Sequence, residues 1–301
     1  MMTVSSIPSR LSLWFYLLVL LAGALAVFAF SPFEIYPLAW FSPALLFYVL
    51  TKAETKKQHF YLGWVYGLGL FGVGASWPFY SLYFFAKAHL LIAVLGTTFF
   101  VVIVALFSTG FFGLLASLFR SRPLFSRLLL FYPAAWVFTE WFRSWFLTGF
   151  PWLYLGNSQI DTFFSAIAPV TGVLGVSLIS AVISGALLSF VLGNSVLRKV
   201  HIQADPDNQN VSDKAYIEEK YGPSIRIVSA FIIVFLVGAS FALQKINWTQ
   251  KIDSPIRVSV LQSNISQLEK LNPDNIMPMI KLYQQMTRES WKSDLIVWPE
   301  T

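Results

Sequence analysis

Long apolar runs separated by short polar segments fill the chain as far as residue 244. A helix that crosses a membrane needs about 20 consecutive apolar residues. On this measure seven spans are predicted, at residues 11–30, 36–50, 60–80, 90–119, 128–145, 163–192 and 225–243. The second span is short, whereas the fourth and sixth exceed the required length and are expected to tilt or to protrude.

The first span has a second interpretation as a signal peptide. Arg10 precedes it, and Ala24-Leu25-Ala26 resembles a cleavage site. Its apolar run is longer than the usual core of a signal peptide, and further spans follow without a soluble domain between them. A retained helix is therefore favoured, with cleavage as the alternative.

From residue 245 the pattern changes to short elements of mixed polarity. Residues 256–265 (IRVSVLQSNI) alternate as a strand does, and residues 294–298 (DLIVW) predict a second, buried strand. Between them, apolar residues recur at the spacing of one helix face, with Asp274 near the start of the helix. These apolar residues are Ile276, Met279, Ile280, Tyr283 and Met286. Strand, helix and strand together predict the first β-α-β unit of an α/β domain.

Composition assigns the class of protein. Hydrophobic residues make up 56% and charged residues 12%, against about half and about a quarter in soluble domains. The mean hydropathy is +0.64. The predicted fold class is therefore a polytopic α-helical membrane protein of about seven transmembrane helices over residues 1–244, followed by the β-α-β unit over residues 245–301.

The positive charge of the chain indicates orientation rather than nucleic-acid binding. The net charge is +6, but the basic residues lie between apolar spans and form no stripe for nucleic acid. With a cytoplasmic N-terminus, the Lys and Arg residues concentrate in residues 1–10, 51–59, 120–127 and 193–226. The opposite side holds only Lys87 and Arg143 before the tail. The positive-inside rule then predicts that the tail lies outside the cytoplasm.

Few residue types are available for metal or thiol chemistry. The chain has no Cys, and its 3 His residues are isolated from one another, so no metal site and no cofactor are predicted. The glycine-rich residues 63–77 lie within a span rather than between a strand and a helix, which excludes a phosphate-binding loop. Gly63 and Gly67 instead have the spacing that lets two membrane helices approach closely.

Glu140 and Arg143 are charged residues within the fifth predicted span. They are three residues apart and therefore share a helix face. Charges at membrane depth are costly and are usually paired or line a cavity. One interpretation is a structural ion pair between them near the outer interface. The other is a site facing lipid headgroups, where Arg143 would bind the phosphate of a phospholipid.

Residues 148–152 (TGFPW) follow at the outer end of that span. Pro151 ends a helix, and Gly149 permits a tight turn. Phe150 and Trp152 would lie at the membrane interface. As a general feature of membrane proteins, this is an aromatic belt with a loop.

Several motifs together resemble one known family. Residues 258–270 (VSVLQSNISQLEK) and 294–301 (DLIVWPET) resemble the opening of a nitrilase-superfamily domain. The apolar spans in front of it, with residues 133–159 and 168–177, resemble the bacterial apolipoprotein N-acyltransferases of that superfamily. The resemblance covers nearly the whole chain, and TGFPW and WPET are its most specific parts.

The resemblance implies an enzyme of the bacterial inner membrane with a nitrilase-like domain in the periplasm. Such an enzyme, a monomer when full length, transfers an acyl chain from a phospholipid to the diacylglyceryl-cysteine of an apolipoprotein through a thioester. It uses a Cys nucleophile, a Glu general base and a Lys that stabilises the oxyanion. Glu300 matches the general base, and Gly149, Phe150 and Trp152 are expected to line the entry of the lipid.

The family's Lys and Cys have no counterpart in these residues. The expectation is therefore a family member cut just after its general base and inactive alone. A non-catalytic transporter or scaffold is the alternative. A transporter would show related half-repeats and broken helices with polar residues near the membrane midplane. The sequence shows no internal repeat, and its charged pair lies near one end of a span.

Overall fold

The computed structural model describes residues 11–193, 224–250, 254–270 and 272–299. The chain divides into two compact units. The first comprises Met1–Trp77 and Leu95–Ile246, and the second Pro78–Val94 and Asn247–Thr301. A division between residues 244 and 245 stays a prediction, and the observed units differ from it mainly in the placement of residues 78–94.

The helices before the tail account for most of the described chain. They are α1 (Leu13–Ala26), α2 (Leu38–Lys52), α3 (Lys56–Gly74), α4 (Trp77–Tyr80), α5 (Leu90–Ala105), α6 (Phe111–Leu118), α7 (Leu124–Ser126), α8 (Tyr132–Arg143), α9 (Ala168–Leu192) and α10 (Ser224–Leu243). A π-helical turn at Leu106–Gly110 joins α5 to α6, and another at Arg127–Phe131 joins α7 to α8. Shorter 3₁₀ turns cover Val27–Ala29, Phe146–Thr148, Leu155–Gln159 and Phe163–Ile167.

Within the described residues, three helical segments are long and apolar enough to cross a membrane. They are Leu90–Leu118, Phe163–Leu192 and Ser224–Leu243. Leu13–Ala29 and Leu38–Lys52 are apolar but shorter. The fourth, sixth and seventh predicted spans therefore have matching helices, whereas the number of seven spans stays a prediction.

Helix α3 is the centre of the first unit. It packs against α1 on one side and α6 on another, while α2 contacts α1 and α9. Aromatic side chains fill the space between α2, α6 and α8: the Phe47 ring lies 5.9 Å from that of Phe112 and 5.4 Å from that of Tyr132. All three are fully buried. Helix α3 begins at a capping box, in which the Thr55 hydroxyl accepts from Gln58 N at 3.1 Å.

Glycines allow α3 to touch its neighbours backbone to backbone. A Cβ on Gly63 would lie 2.1 Å from the carbonyl oxygen of Thr109, and one on Gly69 would lie 2.0 Å from that of Leu20. A Cβ on Gly67 would lie 2.0 Å from the Thr109 side chain. The close approach predicted from Gly63 and Gly67 is confirmed.

The second unit contains a helix between two parallel strands. Strand β1 is Val258–Val260 and strand β2 is Leu295–Val297, with Val258 opposite Leu295. Helix α11 (Gln267–Lys270), a 3₁₀ turn (Pro273–Asn275) and helix α12 (Ile276–Glu289) lie between them in sequence. On the predicted apolar face of α12, Tyr283 is buried, while Ile276 and Ile280 are exposed. The strand–helix–strand order agrees with the sequence, and its nitrilase-like identity stays a prediction.

Candidate functional site

The loop of residues 144–154, which follows α8, has an unusual backbone. Leu147, Thr148 and Leu153 have positive φ angles of 52°, 73° and 56°. Non-glycine residues adopt such angles at a cost, and they cluster at binding and catalytic sites. Gly149 has φ 90°, and a Cβ there would lie 2.2 Å from the carbonyl oxygen of Ser144. The tight turn predicted at Gly149 is therefore present, and only glycine fits it without strain.

Arg143, at the end of α8, holds this loop from inside. Its side chain is 2% exposed, and Nη1 donates to the carbonyl oxygen of Trp152. The guanidinium carbon lies 5.2 Å from the centroid of the Phe71 ring and 4.9 Å from that of Tyr154. The Arg143 carbonyl also accepts from Phe150 N at 2.8 Å. The loop is therefore folded back onto the residue that ends the helix.

Glu140 binds the residue that directly follows this loop. Its Oε1 accepts from the indole Nε1 of Trp136 at 2.9 Å and from the backbone N of Leu155 at 2.8 Å. The Glu140 side chain is 4% exposed. The Glu140 carboxylate and the Arg143 guanidinium bind different backbone groups, those of Leu155 and Trp152. Their interpretation as a mutual structural ion pair stays a prediction.

Tyr154 lies against the Arg143 guanidinium. Burial raises the pKa of the Tyr154 hydroxyl, and the Arg143 guanidinium opposes part of that rise. The hydroxyl therefore stays protonated at neutral pH. Next to it, Gly156 N donates to the Ser177 hydroxyl on α9 at 2.8 Å, which ties the end of the loop to another helix.

Phe150 and Trp152 form an aromatic surface on the loop. The Trp152 indole donates to the carbonyl oxygen of Gly74, the last residue of α3, at 3.2 Å. Its ring lies 6.1 Å from that of Trp77 and stacks on that of Phe150 at 6.4 Å. Phe150 contacts the Phe100 ring at 5.3 Å. Trp152 is 48% exposed whereas Phe150 is partly buried, so the surface has an open edge and an inner edge.

The second candidate location is the carboxyl end of β2. Glu300 lies outside the described residues, but Trp298, two positions before it, is described. Trp298 Nε1 donates to the Thr287 hydroxyl at 3.0 Å, and its ring stacks on that of Tyr283 at 5.2 Å. The Tyr283 hydroxyl lies 2.7 Å from that of Ser263. We term Ser263, Tyr283, Thr287 and Trp298 the strand-end cluster.

The structure brings the five site residues predicted before the tail into one small region. Gly149, Phe150 and Trp152 lie on the loop, and Glu140 and Arg143 hold it. Sequence reasoning missed Trp136 and the carbonyl of Gly74. The spacing of Trp136 and Glu140, four residues apart in one helix, was a usable signal for their contact. Among the residues described, no three His, Asp or Glu side chains come together as a metal site requires.

Comparison with known proteins identifies one family. The model of the apolipoprotein N-acyltransferase N-terminal domain matches residues 22–186. The apolipoprotein N-acyltransferase of Methylococcus capsulatus is 38% identical over 287 residues, covering 95% of this chain and 51% of that protein. Those of Coxiella burnetii and Vibrio parahaemolyticus are 37% and 32% identical, covering 94% and 92% of this chain. The chain spans about half the length of the curated relatives it matches.

Proposed function

Because the chain belongs to the apolipoprotein N-acyltransferase family, we propose that it is part of an enzyme that acylates lipoproteins. The proposed reaction transfers an acyl chain from a phospholipid to the α-amino group of the diacylglyceryl-cysteine of an apolipoprotein. The observation that carries the proposal is the family match over residues 22–186, with relatives of that name aligned along 92–95% of the chain. A transporter or scaffold loses its support, because the matched family is one of acyltransferases.

Glu300 is the proposed general base. It would take the proton from a thiol, and the resulting thiolate would attack the ester carbonyl of the phospholipid. This step leaves a thioester, and Glu300 would give the proton to the oxygen of the departing lysophospholipid. The free amine of the acceptor would then attack the thioester, and its proton would pass through the same carboxylate to the departing thiolate, which restores the thiol. The 301 residues contain no Cys, so the proposal takes the thiol from outside them.

The loop of residues 144–154 is proposed to form the lipid entry. Trp152 offers an exposed indole at its open edge, and Phe150 extends the aromatic surface inward. Lipid chains need an apolar surface, and amphipathic rings suit the level of the headgroups. Because Arg143 is buried and bonded to Trp152, the geometry favours a supporting role for it over phosphate binding. Glu140 has the same role at Leu155.

The topology is also part of the proposal. Seven spans in the inner membrane, a cytoplasmic N-terminus and a periplasmic tail agree with the distribution of Lys and Arg. The tail over residues 245–301 would then be the start of a nitrilase-like domain, with residues 1–244 as the membrane part. The full-length enzyme is proposed to act as a monomer.

A chimaera tests the proposed function. Residues 1–301 replace the matching half of the Methylococcus capsulatus relative, and acyl transfer from a phospholipid to a diacylglyceryl peptide is measured in detergent micelles. We expect transfer by the chimaera, loss of transfer on Glu300→Gln, and no transfer by residues 1–301 alone. A folded chimaera without activity, or full activity of the Glu300→Gln protein, would overturn the proposal.

A further inference from the structure

The strand-end cluster connects the carboxyl ends of both strands to one helix. Ser263 follows β1 by three residues and Trp298 follows β2 directly, while Tyr283 and Thr287 lie one turn apart on α12. In α/β folds, functional groups collect at the carboxyl ends of the strands. The cluster therefore lies at the edge where a site is expected.

The hydrogen bonds of the cluster have a fixed direction. The Thr287 hydroxyl donates its proton to the backbone carbonyl of Tyr283 at 2.7 Å. A hydroxyl has one proton to donate, so its oxygen remains as the acceptor for the Trp298 indole N–H. The indole is thus held by a directed bond at one edge and by the stacked Tyr283 ring on its face.

Trp298 lies two residues before Glu300 in the sequence. Only Pro299 lies between them, and the proline ring fixes its own φ near −65°. The residue before a proline is restricted to extended conformations, so the backbone of Trp298 is constrained as well. Anchoring the indole therefore holds the residue from which the chain continues to Pro299 and Glu300.

We propose that Trp298 and Thr287 are positioning residues for Glu300. This inference rests on the proposed function, in which Glu300 is the general base. A general base acts only within hydrogen-bond reach of the proton it takes, and a misplacement of about 1 Å costs about 100-fold in rate. The strand-end cluster holds Trp298, the residue two positions before Glu300.

The strand pair has separate ties at its other end, which makes the cluster's role separable from folding. Arg257 N donates to the Asp294 carboxylate at 2.8 Å, and the hydroxyls of Ser259 and Ser293 lie 2.7 Å apart. These contacts hold β1 to β2 at their amino ends. Removing the bond between Trp298 and Thr287 is therefore expected to leave the strands paired.

The experiment uses the active chimaera and four variants of the cluster. Trp298→Phe keeps a stacked ring and removes the N–H donor, while Thr287→Val removes the acceptor at nearly constant shape. Both are expected to lower kcat about 10- to 100-fold with KM unchanged. The double variant should be no slower than either single one, since both remove the same bond. Thr287→Ser keeps the hydroxyl and should restore kcat.

Ser293→Ala is the matched control, because it removes a side-chain hydrogen bond of similar length from the other end of the strands. It is expected to leave kcat unchanged. If the parent chimaera is active and Glu300→Gln abolishes activity, but Trp298→Phe and Thr287→Val keep the parent kcat, the positioning role is overturned and the proposed function stands. The positioning role is also overturned if kcat falls in these variants only in proportion to the fraction of protein that is folded. An inactive parent instead overturns the proposed function.

Discussion

Replacing Arg143 by Lys keeps the positive charge and removes the planar guanidinium that holds the loop of residues 144–154. In the native protein this group donates to the carbonyl of Trp152 and lies over the rings of Phe71 and Tyr154. A lysine has a single ammonium on a flexible stem and cannot reproduce both the directed bond and the stacking. We expect the loop to open more often in the Arg143→Lys protein.

The magnitude follows from the contacts that are lost. A hydrogen bond to a charged group contributes about 1.5–3 kcal/mol. Each contact of a buried cation with a ring contributes about 0.5–2 kcal/mol. Lysine keeps part of both, so the loop should lose about 1–3 kcal/mol of stability. Each 1.4 kcal/mol corresponds to about a tenfold change in an equilibrium constant. The open fraction of the loop should therefore rise about 5- to 150-fold.

Thiol labelling measures this opening on a clean background, because the chain contains no Cys. A single Leu153→Cys substitution places the probe in the loop, and the rate of its reaction with a maleimide is compared with and without Arg143→Lys. Arg226→Lys is the matched control. Arg226 also donates to a backbone carbonyl, that of Phe190, and lies over the Phe190 ring. Its hydrogen bond is exposed, unlike that of Arg143. Its replacement should change the labelling rate by less than about twofold.

Equal labelling rates for the Arg143→Lys protein and its parent would refute the supporting role of Arg143. Unchanged labelling together with weaker use of the phospholipid donor by the chimaera would instead support phosphate binding. The two interpretations of Arg143 are thus separated by a measurement on the loop and a measurement of kinetics.

Three further predictions concern glycine packing and the loop, and thermal unfolding in detergent measures each of them. Gly63→Ala should destabilise the protein by about 1–3 kcal/mol, because its Cβ would lie 2.1 Å from the carbonyl oxygen of Thr109. The control is Gly238→Ala, whose Cβ would have no atom within 4 Å and which should cause no loss of stability. Gly149→Ala should cost about 1–3 kcal/mol because φ is 90° there, and an unchanged melting temperature would contradict this. Trp152→Phe should cost about 0.5–1.5 kcal/mol by removing the indole bond at 3.2 Å, and no loss would show that this bond contributes nothing.

Apolar length predicted several helices well, because it needs only the composition of each segment. The fourth predicted span, residues 90–119, corresponds to helical structure over Leu90–Leu118. The third, residues 60–80, was placed less well, since α3 runs from Lys56 to Gly74. Its early start follows from the capping box of Thr55 and Gln58, whose Thr-x-x-Gln pattern was readable in the sequence.

The contacts of the loop were beyond sequence reasoning. Helical periodicity indicated that Glu140 and Arg143 share a face, but their partners lie across a turn in which Leu147, Thr148 and Leu153 adopt positive φ. No sequence rule assigns such angles to a leucine or a threonine, since they cost energy locally and depend on the surrounding packing. The path by which the chain returns to Glu140 and Arg143 could therefore be determined only from the structure.

The close packing of α3 has a mechanical consequence for the aromatic surface. Gly69 packs against α1, and Gly63 packs against the π-helical turn between α5 and α6. Helix α3 therefore cannot rotate about its axis or slide without a collision between backbones. The carbonyl of Gly74, at the end of this helix, is consequently a stationary anchor point for the Trp152 indole. Any movement of the Trp152 indole away from the end of α3 therefore requires that this hydrogen bond breaks.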